Sequence, residues 1–292
     1  MNILTFDTEE WYTERAYNND DFKRYKILDC YLNSILDLLD EQKVKATFFC
    51  VGGLAKEFPH IVRQIADKGH EIGCHSNTHM WLNTFNNREL KQDTETAIKS
   101  LEDLTGKRVV SYRAPAFSIG DKNKWALEVL AECGIERDAS VYPANRDIGG
   151  FAEFPAGEPC IIKINGVSLK EFPVSLTSVA GRKMAYSGGG YFRFFPLNFI
   201  KGTIKESDYV MTYFHINDLE YHPFKMMTKE SYERYFKRPG TFKNRFSRMI
   251  KRSLGSNGAF EKMSNLIRSF DFVNLEMADD SINWSNVKVI EI

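Results

Sequence analysis

Short apolar runs alternate with longer stretches whose apolar residues recur at helical spacing, beginning at the second residue of the chain. Residues 2–6 (Asn-Ile-Leu-Thr-Phe) read as a strand. Residues 26–42 set Ile27, Tyr31, Ile35, Leu38 and Leu39 on one helical face, and the apolar run 46–51 reads as the next strand. A helix over about 54–68 is stopped by Gly69, and 71–74 follows as a strand. Asn86 or Asn87 caps a helix that runs to Leu104 and ends at Gly106; a strand at 109–112 then precedes a helix over about 122–133 that ends at Gly134. This alternation predicts βα units around a parallel sheet, an α/β fold.

The second half is less regular. Short strands are expected at 160–164 and 171–174, then a loop at 187–191, a helix over about 196–206, and a strongly β-prone strand at 210–214. Helices over about 228–237 and 258–269 precede a last expected strand at 272–275. No repeat, low-complexity tract or linker divides the 292 residues, so 1–292 reads as one domain with 220–292 as a C-terminal extension packed on it.

Composition narrows the function classes. Thirty-nine basic and 39 acidic residues cancel, so no global charge argues for nucleic acid, and any electrostatic function must be local. No basic-apolar-small leader pattern opens the chain, and no apolar run is long enough to span a bilayer. Five cysteines, odd in number and set in apolar segments, suit reduced thiols and a cytoplasmic protein.

Four of the expected strands end in polar groups: Asp7 and Glu9, His75 and His79, Arg113, and His215. Groups gathered at the C-terminal ends of parallel strands are where barrel and open α/β enzymes place their chemistry. If the first strand stays extended, Asp7 and Glu9 share a face while Thr8 and Glu10 point away. The four-residue separation of His75 and His79 would bring two imidazoles to one side across a helical turn. Two imidazoles and one carboxylate make a three-ligand metal site with an open position, and the other carboxylate is left as a base, which describes metal-assisted hydrolysis. Arg113 would hold that base through paired hydrogen bonds.

These motifs, in this order, resemble the carbohydrate esterase family 4 deacetylases, the polysaccharide deacetylase or NodB-homology family. Leu4-Thr5-Phe6-Asp7-Thr8-Glu9-Glu10-Trp11 looks like the first motif, residues 69–79 (Gly-His-Glu-Ile-Gly-Cys-His-Ser-Asn-Thr-His) like the second, and residues 113–119 (Arg-Ala-Pro-Ala-Phe-Ser-Ile) like the third. Tyr213-Phe214-His215 stands in the place of the last. The segments 138–143, 188–193 and 270–272 are similar to the branch found in bacterial exopolysaccharide and surface-glycan gene clusters. The chain departs from the family in having Asp7-Thr8-Glu9 where many members have adjacent aspartates. It also has Ile216-Asn217-Asp218 where that branch has Pro-Trp-Glu.

The resemblance implies a single-domain, distorted (β/α)7-type barrel and de-N-acetylation of an aminosugar in surface-polysaccharide assembly. An amidase or deformylase of a non-polymeric or lipid-linked substrate, or a non-catalytic glycan binder, is the alternative. It also implies a divalent metal, Zn2+ ahead of Co2+, Ni2+, Mn2+ or Fe2+, held by Glu9, His75 and His79. Asp7 then becomes the base, Arg113 its support, His215 the acid with Asp138 behind it, and Ala116 with Phe117 a backbone contact for the substrate. Gly188-Gly189-Gly190 lacks the Lys-Ser/Thr ending of a phosphate loop and reads as a substrate loop presenting Tyr191 and Arg193. The aromatic-basic run 235–252 is either a solvated helix face or a patch for anionic phospholipid or a polyprenyl phosphate, which would place a cytoplasmic protein at the inner membrane.

Overall fold

The computed structural model describes residues 1–9, 22–146, 149–221, 223–236 and 238–292. Glu10 and Trp11 of the first motif and Lys237 of the basic run lie outside them. The strands are β1 (Asn2–Ile3), β2 (Thr5–Thr8), β3 (Thr47–Cys50), β4 (Glu71–Cys74), β5 (Ser111–Tyr112), β6 (Arg137–Asp138), β7 (Cys160–Ile164), β8 (Val167–Glu171), β9 (Leu176–Val179), β10 (Arg182–Ala185), β11 (Val210–Met211), β12 (Phe214–His215) and β13 (Lys288–Glu291). The main sheet runs β12-β2-β3-β4-β5-β6-β8-β7-β13. Its first seven members pair parallel throughout, and these are the staves of the distorted (β/α)7 barrel. Helices Phe22–Gln42, Gly52–Glu57, Pro59–Asp67, Asn87–Thr105 and Trp125–Glu132 supply the crossovers among β2 to β6.

Period-two alternation sorts the side chains. Leu4 and Phe6 join Phe48 and Cys50 in the core under the helices, whereas Ile3, Phe49 and Met211 face inward with Ala139, Phe172 and Leu275. Phe6 stacks on Phe48 at 4.9 Å between ring centroids and meets Phe214 at 5.9 Å, which welds β2, β3 and β12. The inward face of β2 therefore continues from Ile3 through Thr5 to Asp7. Register places His215 directly beside Asp7.

Among the described residues, the barrel closes without a regular ladder between β8 and β11. After β8, Ser175 Oγ donates to the Tyr209 carbonyl at 3.4 Å and accepts the Met211 N–H at 2.8 Å, while Tyr209 Oη donates to the Pro173 carbonyl at 2.8 Å. Side-chain bridges replace the strand pair at this seam, and that is the distortion. The opposite, N-terminal mouth is plugged by Glu71, which accepts from Thr47 Oγ1 at 2.7 Å, Ser111 Oγ at 2.6 Å and Arg137 Nη2 at 3.3 Å. Conserving stability at that end and chemistry at the other is how such barrels divide their work.

Four expectations change, the first being that the loop expected at 187–191 gives way at Gly189 to the helix Gly189–Phe194, which carries Tyr191 and Arg193. The strand expected at 171–174 lies at Val167–Glu171, where Asn165 and Gly166, with φ of 46° and 86°, form a two-residue hairpin turn; Ala180-Gly181 makes the same kind of turn between β9 and β10. The single helix expected over 54–68 is two, because Pro59 cannot continue the first and opens the second at its first turn. The strand expected at 272–275 is only an isolated Ile3–Val273 bridge, since the Asn274 side chain caps the helix Leu275–Ser281 and the last strand is β13.

Candidate active site

The site sits where β2, β4, β5 and β12 end. Glu9 follows β2 on the same inward face as Asp7, and its Oε2 lies 3.1 Å from His75 Nε2 and also pairs with His79 Nε2. One ligand atom from each of Glu9, His75 and His79 falls within 4.8 Å of the other two. His75 is buried and donates its Nδ1–H to the Arg113 carbonyl at 2.7 Å, which turns Nε2 toward Glu9. Fixing the far ring nitrogen in this way is what a metal-ligating histidine requires, so the residues fit a divalent cation with an N/O donor set.

His79 arrives by a different route from a helical turn. Ser76 and His79 both take positive φ, 64° and 54°, and Ser76 Oγ accepts the N–H groups of Thr78 and His79 at 3.3 and 3.1 Å. Asp93, from the helix Asn87–Thr105, fixes this turn by accepting from Asn77 N–H and Thr78 Oγ1, both at 2.8 Å. Close approach of that helix is why residue 52 is glycine: a Cβ there would sit 2.6 Å from Ala97 Cα. Strain of this kind persists only where surroundings enforce it.

Arg113 is fully buried in the barrel. Its Nη1 donates to Asp7 Oδ1 at 2.8 Å and Thr5 Oγ1 at 2.7 Å, its Nε donates to the Ala139 carbonyl at 3.2 Å, and its guanidinium lies 4.3 Å from the Phe49 ring centroid. Removing one partner of such a buried pair strands the other, at a cost of about 3–5 kcal/mol. Asp7 is thereby held with Oδ2 3.7 Å from His215 Nε2, and Glu9 Oε1 lies 3.7 Å from the same nitrogen.

His215 has a partner that the sequence did not assign. Its Nδ1 donates to Asp218 Oδ2 at 2.7 Å, and Asp218 Oδ1 accepts from Arg193 Nη1 at 2.8 Å. Asp138, expected behind His215, instead accepts from Ser140 Oγ at 2.5 Å, and Ser140 Oγ accepts the Ala114 N–H at 2.8 Å. Its place is under the third-motif loop, beside Glu171, and burial pushes the carboxyls of both acids up. The clue to Asp218 was the His-x-x-Asp spacing, which a short helix, Ile216–Leu219, turns back onto the ring. Burial opposes protonation of His215, but Glu9, Asp218 and Asp7 outweigh it and push the imidazole up to about 10. Burial likewise opposes ionisation of Glu9, yet His79, His215 and the hydrogen bond from His75 hold its carboxyl well below the usual range.

Of the remaining expected residues, Tyr191 and Arg193 line one cleft, and Ala116 and Phe117 lie outside its lining. Glu9, His215, Asp218, Tyr191 and Arg193 share a cavity of about 550 Å³. Arg193 commits its guanidinium to Asp218 and, at 3.0 Å, to the Lys251 carbonyl. Ala116 and Phe117 form a tight turn with φ of 55° and 52°, and Arg146, on the cavity wall, donates to the Ala116 carbonyl at 3.4 Å.

A family described as polysaccharide deacetylase matches residues 3–137, and a domain of unknown function, DUF3473, matches residues 139–278. The chain is 39% identical over 95 residues to a peptidoglycan-N-acetylglucosamine deacetylase of Bacillus cereus, covering 32% of this chain and 34% of that protein. It is 34% identical over 84 residues to a chitooligosaccharide deacetylase of Rhizobium leguminosarum bv. trifolii, covering 27% of this chain and 39% of the relative. The chain thus spans little more than a third of these relatives. Among solved structures, a Mycobacterium smegmatis protein classed with the polysaccharide deacetylases superposes with a TM-score of 0.61 at 19% identity, over 99% of this chain and 92% of that one. The 4-alpha-glucanotransferase of Thermococcus litoralis gives a TM-score of 0.57 at 12% identity, over 100% of this chain and 42% of that one, so the fold by itself does not select a reaction. Residues 3–137, which carry Asp7, Glu9, His75, His79 and Arg113, are the part of the chain that matches the polysaccharide deacetylase family.

Proposed function

We propose that the protein is a metal-dependent hydrolase that removes the acetyl group from an N-acetylated aminosugar during surface-polysaccharide assembly. The observation that carries this reading is the convergence of the Glu9, His75 and His79 ligand atoms within 4.8 Å, flanked by Asp7 and His215. A divalent cation held by those three side chains, with Zn2+ the best match to an N/O donor set, would polarise the amide carbonyl and acidify water. Asp7, aligned by Arg113, accepts the proton of the attacking water. His215, charged and oriented by Asp218, gives a proton to the leaving nitrogen, and a backbone N–H at the Ala116 turn meets the developing oxyanion.

The five cysteines, odd in number and set in apolar segments, support a reducing, cytoplasmic setting. No described helix is long and apolar enough to cross a membrane. A peripheral position at the inner leaflet is supported by the helix Phe242–Ser253, capped by Thr241, which exposes Phe242 and Phe246 stacked on one another and carries Lys243, Lys251 and Arg252. The test is acetate release by purified protein from N-acetylated oligosaccharides, with formate and ammonia release from formylated aminosugars and ureides measured alongside. Acetate release that a chelator abolishes and added metal restores supports the reading; formate or ammonia release alone moves it to a deformylase or amidase.

A further inference from the structure

The cavity that holds Glu9 and His215 is lined by several cationic side chains. Arg146, from the segment after β6, and Lys251, from the last turn of the helix Phe242–Ser253, line it together with Arg248 and Arg252. Among the described residues the acids lining the cavity are Glu9 and Asp218. Glu9 belongs to the histidine cluster, and Asp218 is engaged by His215 and Arg193. Arg146 is pre-oriented: its guanidinium carbon lies 4.7 Å from the Tyr142 ring centroid and 5.1 Å from that of Phe117, and one Nη is tied to the Ala116 carbonyl. The planar fork of a guanidinium held in this way matches an oxyanion and loses little freedom on binding it. Lys251 contributes a compact charge, while its carbonyl, not its ammonium, takes Arg193.

From this juxtaposition we infer that the cleft takes an acylated aminosugar bearing an oxyanion, a phosphate ester or a carboxylate, with Arg146 and Lys251 holding that group while the N-acyl group lies at Glu9 and His215. The inference rests on the deacetylase reading. A neutral sugar would leave the cationic wall to water, whereas an anionic one fixes the distance between its charged substituent and the amide, and so selects which acyl group is presented.

The experiment measures binding and acetate release with N-acetylglucosamine, N-acetylglucosamine 1-phosphate and N-acetylmuramic acid, for wild type and an Arg146→Ala, Lys251→Ala variant. At least one anionic sugar should bind about tenfold more tightly than the neutral one, and the gap should narrow to about twofold in the variant and, in wild type, at about 0.5 M salt. Whether the phosphate or the carboxylate sugar gains identifies the oxyanion. The inference is overturned if all three sugars bind alike, or if the preference survives the variant or high salt; the salt arm decides even where the variant misfolds. Equal acetate release from neutral and anionic sugars removes the anion site and keeps the deacetylase. Charge-dependent binding with no acetate from any sugar keeps the anion site and removes the deacetylase.

Discussion

Asp218 stands between His215 and Arg193, with one carboxylate oxygen 2.7 Å from the imidazole Nδ1 and the other 2.8 Å from the guanidinium Nη1. Burial opposes its ionisation, but His215 and Arg193 hold the carboxyl below the usual range, so its charge is present whenever the imidazole needs it. Asp218 is therefore a positioning residue. Asp218→Asn should lower kcat about tenfold to a hundredfold with little change in KM, and Asp218→Glu should restore part of the loss. A raised KM at unchanged kcat would instead make Asp218 a substrate contact.

The metal set and the base separate by composition as well as by rate. Purified His75→Ala and His79→Ala variants should lose metal on elemental analysis, whereas Asp7→Asn should retain it and lose activity by a factor of about 10²–10⁴. Because Asp7 also neutralises a fully buried Arg113, the Asn variant should unfold at lower denaturant than wild type. Full metal content in a His75→Ala, His79→Ala double variant would remove the centre.

Much of this site was legible because period two and strand ends are local rules. Asp7 and Glu9 share the inward face for the same reason that Ile3 and Thr5 do, and His215 stands beside Asp7 because β12 borders β2, while Arg113 reaches Asp7 from the end of β5, three strands away in the sheet. The turn that delivers His79 was not legible, because it depends on Ser76 and on Asp93, which lies on another helix. Asp138 was misplaced since its own strand end points beneath Ala114 through Ser140, a direction set by barrel geometry. The apolar Phe272-Val273-Leu275 pattern imitated a strand, and only the cap at Asn274 breaks it. Asn165-Gly166, by contrast, is a local hairpin signal, and placing the second strand at 171–174 overlooked it.

His70 offers a stability test remote from the chemistry. It is 2% exposed, its Nδ1 accepts the Ala46 N–H at 3.3 Å, and its ring lies 5.3 Å from that of Phe48. Burial pushes the imidazole down to about 4, with the Lys45 ammonium adding to the effect. The unfolded chain, with its histidine near 6.5, then binds more protons than the folded one between pH 4 and 6.5, so stability falls as pH drops through that window. Between pH 7 and 5 His70 should account for a loss of about 2 kcal/mol. Urea unfolding at both pH values checks this: a His70→Gln variant should show a smaller pH-dependent loss, and an equal loss would assign the acid sensitivity elsewhere.

The helix Phe242–Ser253 divides its basic residues between structure and surface. Arg245 donates to the Gly240 and Met227 carbonyls at 3.1 and 3.0 Å, and Arg248 lies 5.1 Å from the Phe236 ring centroid, so these two hold the helix in place. Phe242 and Phe246, 65% and 45% exposed with rings 5.8 Å apart, and Lys243 make up the face that a lipid headgroup layer would meet. A basic side chain near an anionic leaflet contributes on the order of 1 kcal/mol, and inserted aromatic rings add their buried area. Co-sedimentation should therefore show binding to anionic vesicles at low salt, weaker binding at high salt, and none to neutral vesicles. A Phe242→Ser, Lys243→Ser, Phe246→Ser variant should lose the binding while keeping acetate release from a soluble substrate, because none of the three side chains lines the catalytic cavity. If wild type ignores anionic vesicles at low salt, the helix is a solvated face, and a soluble sugar becomes the substrate to pursue.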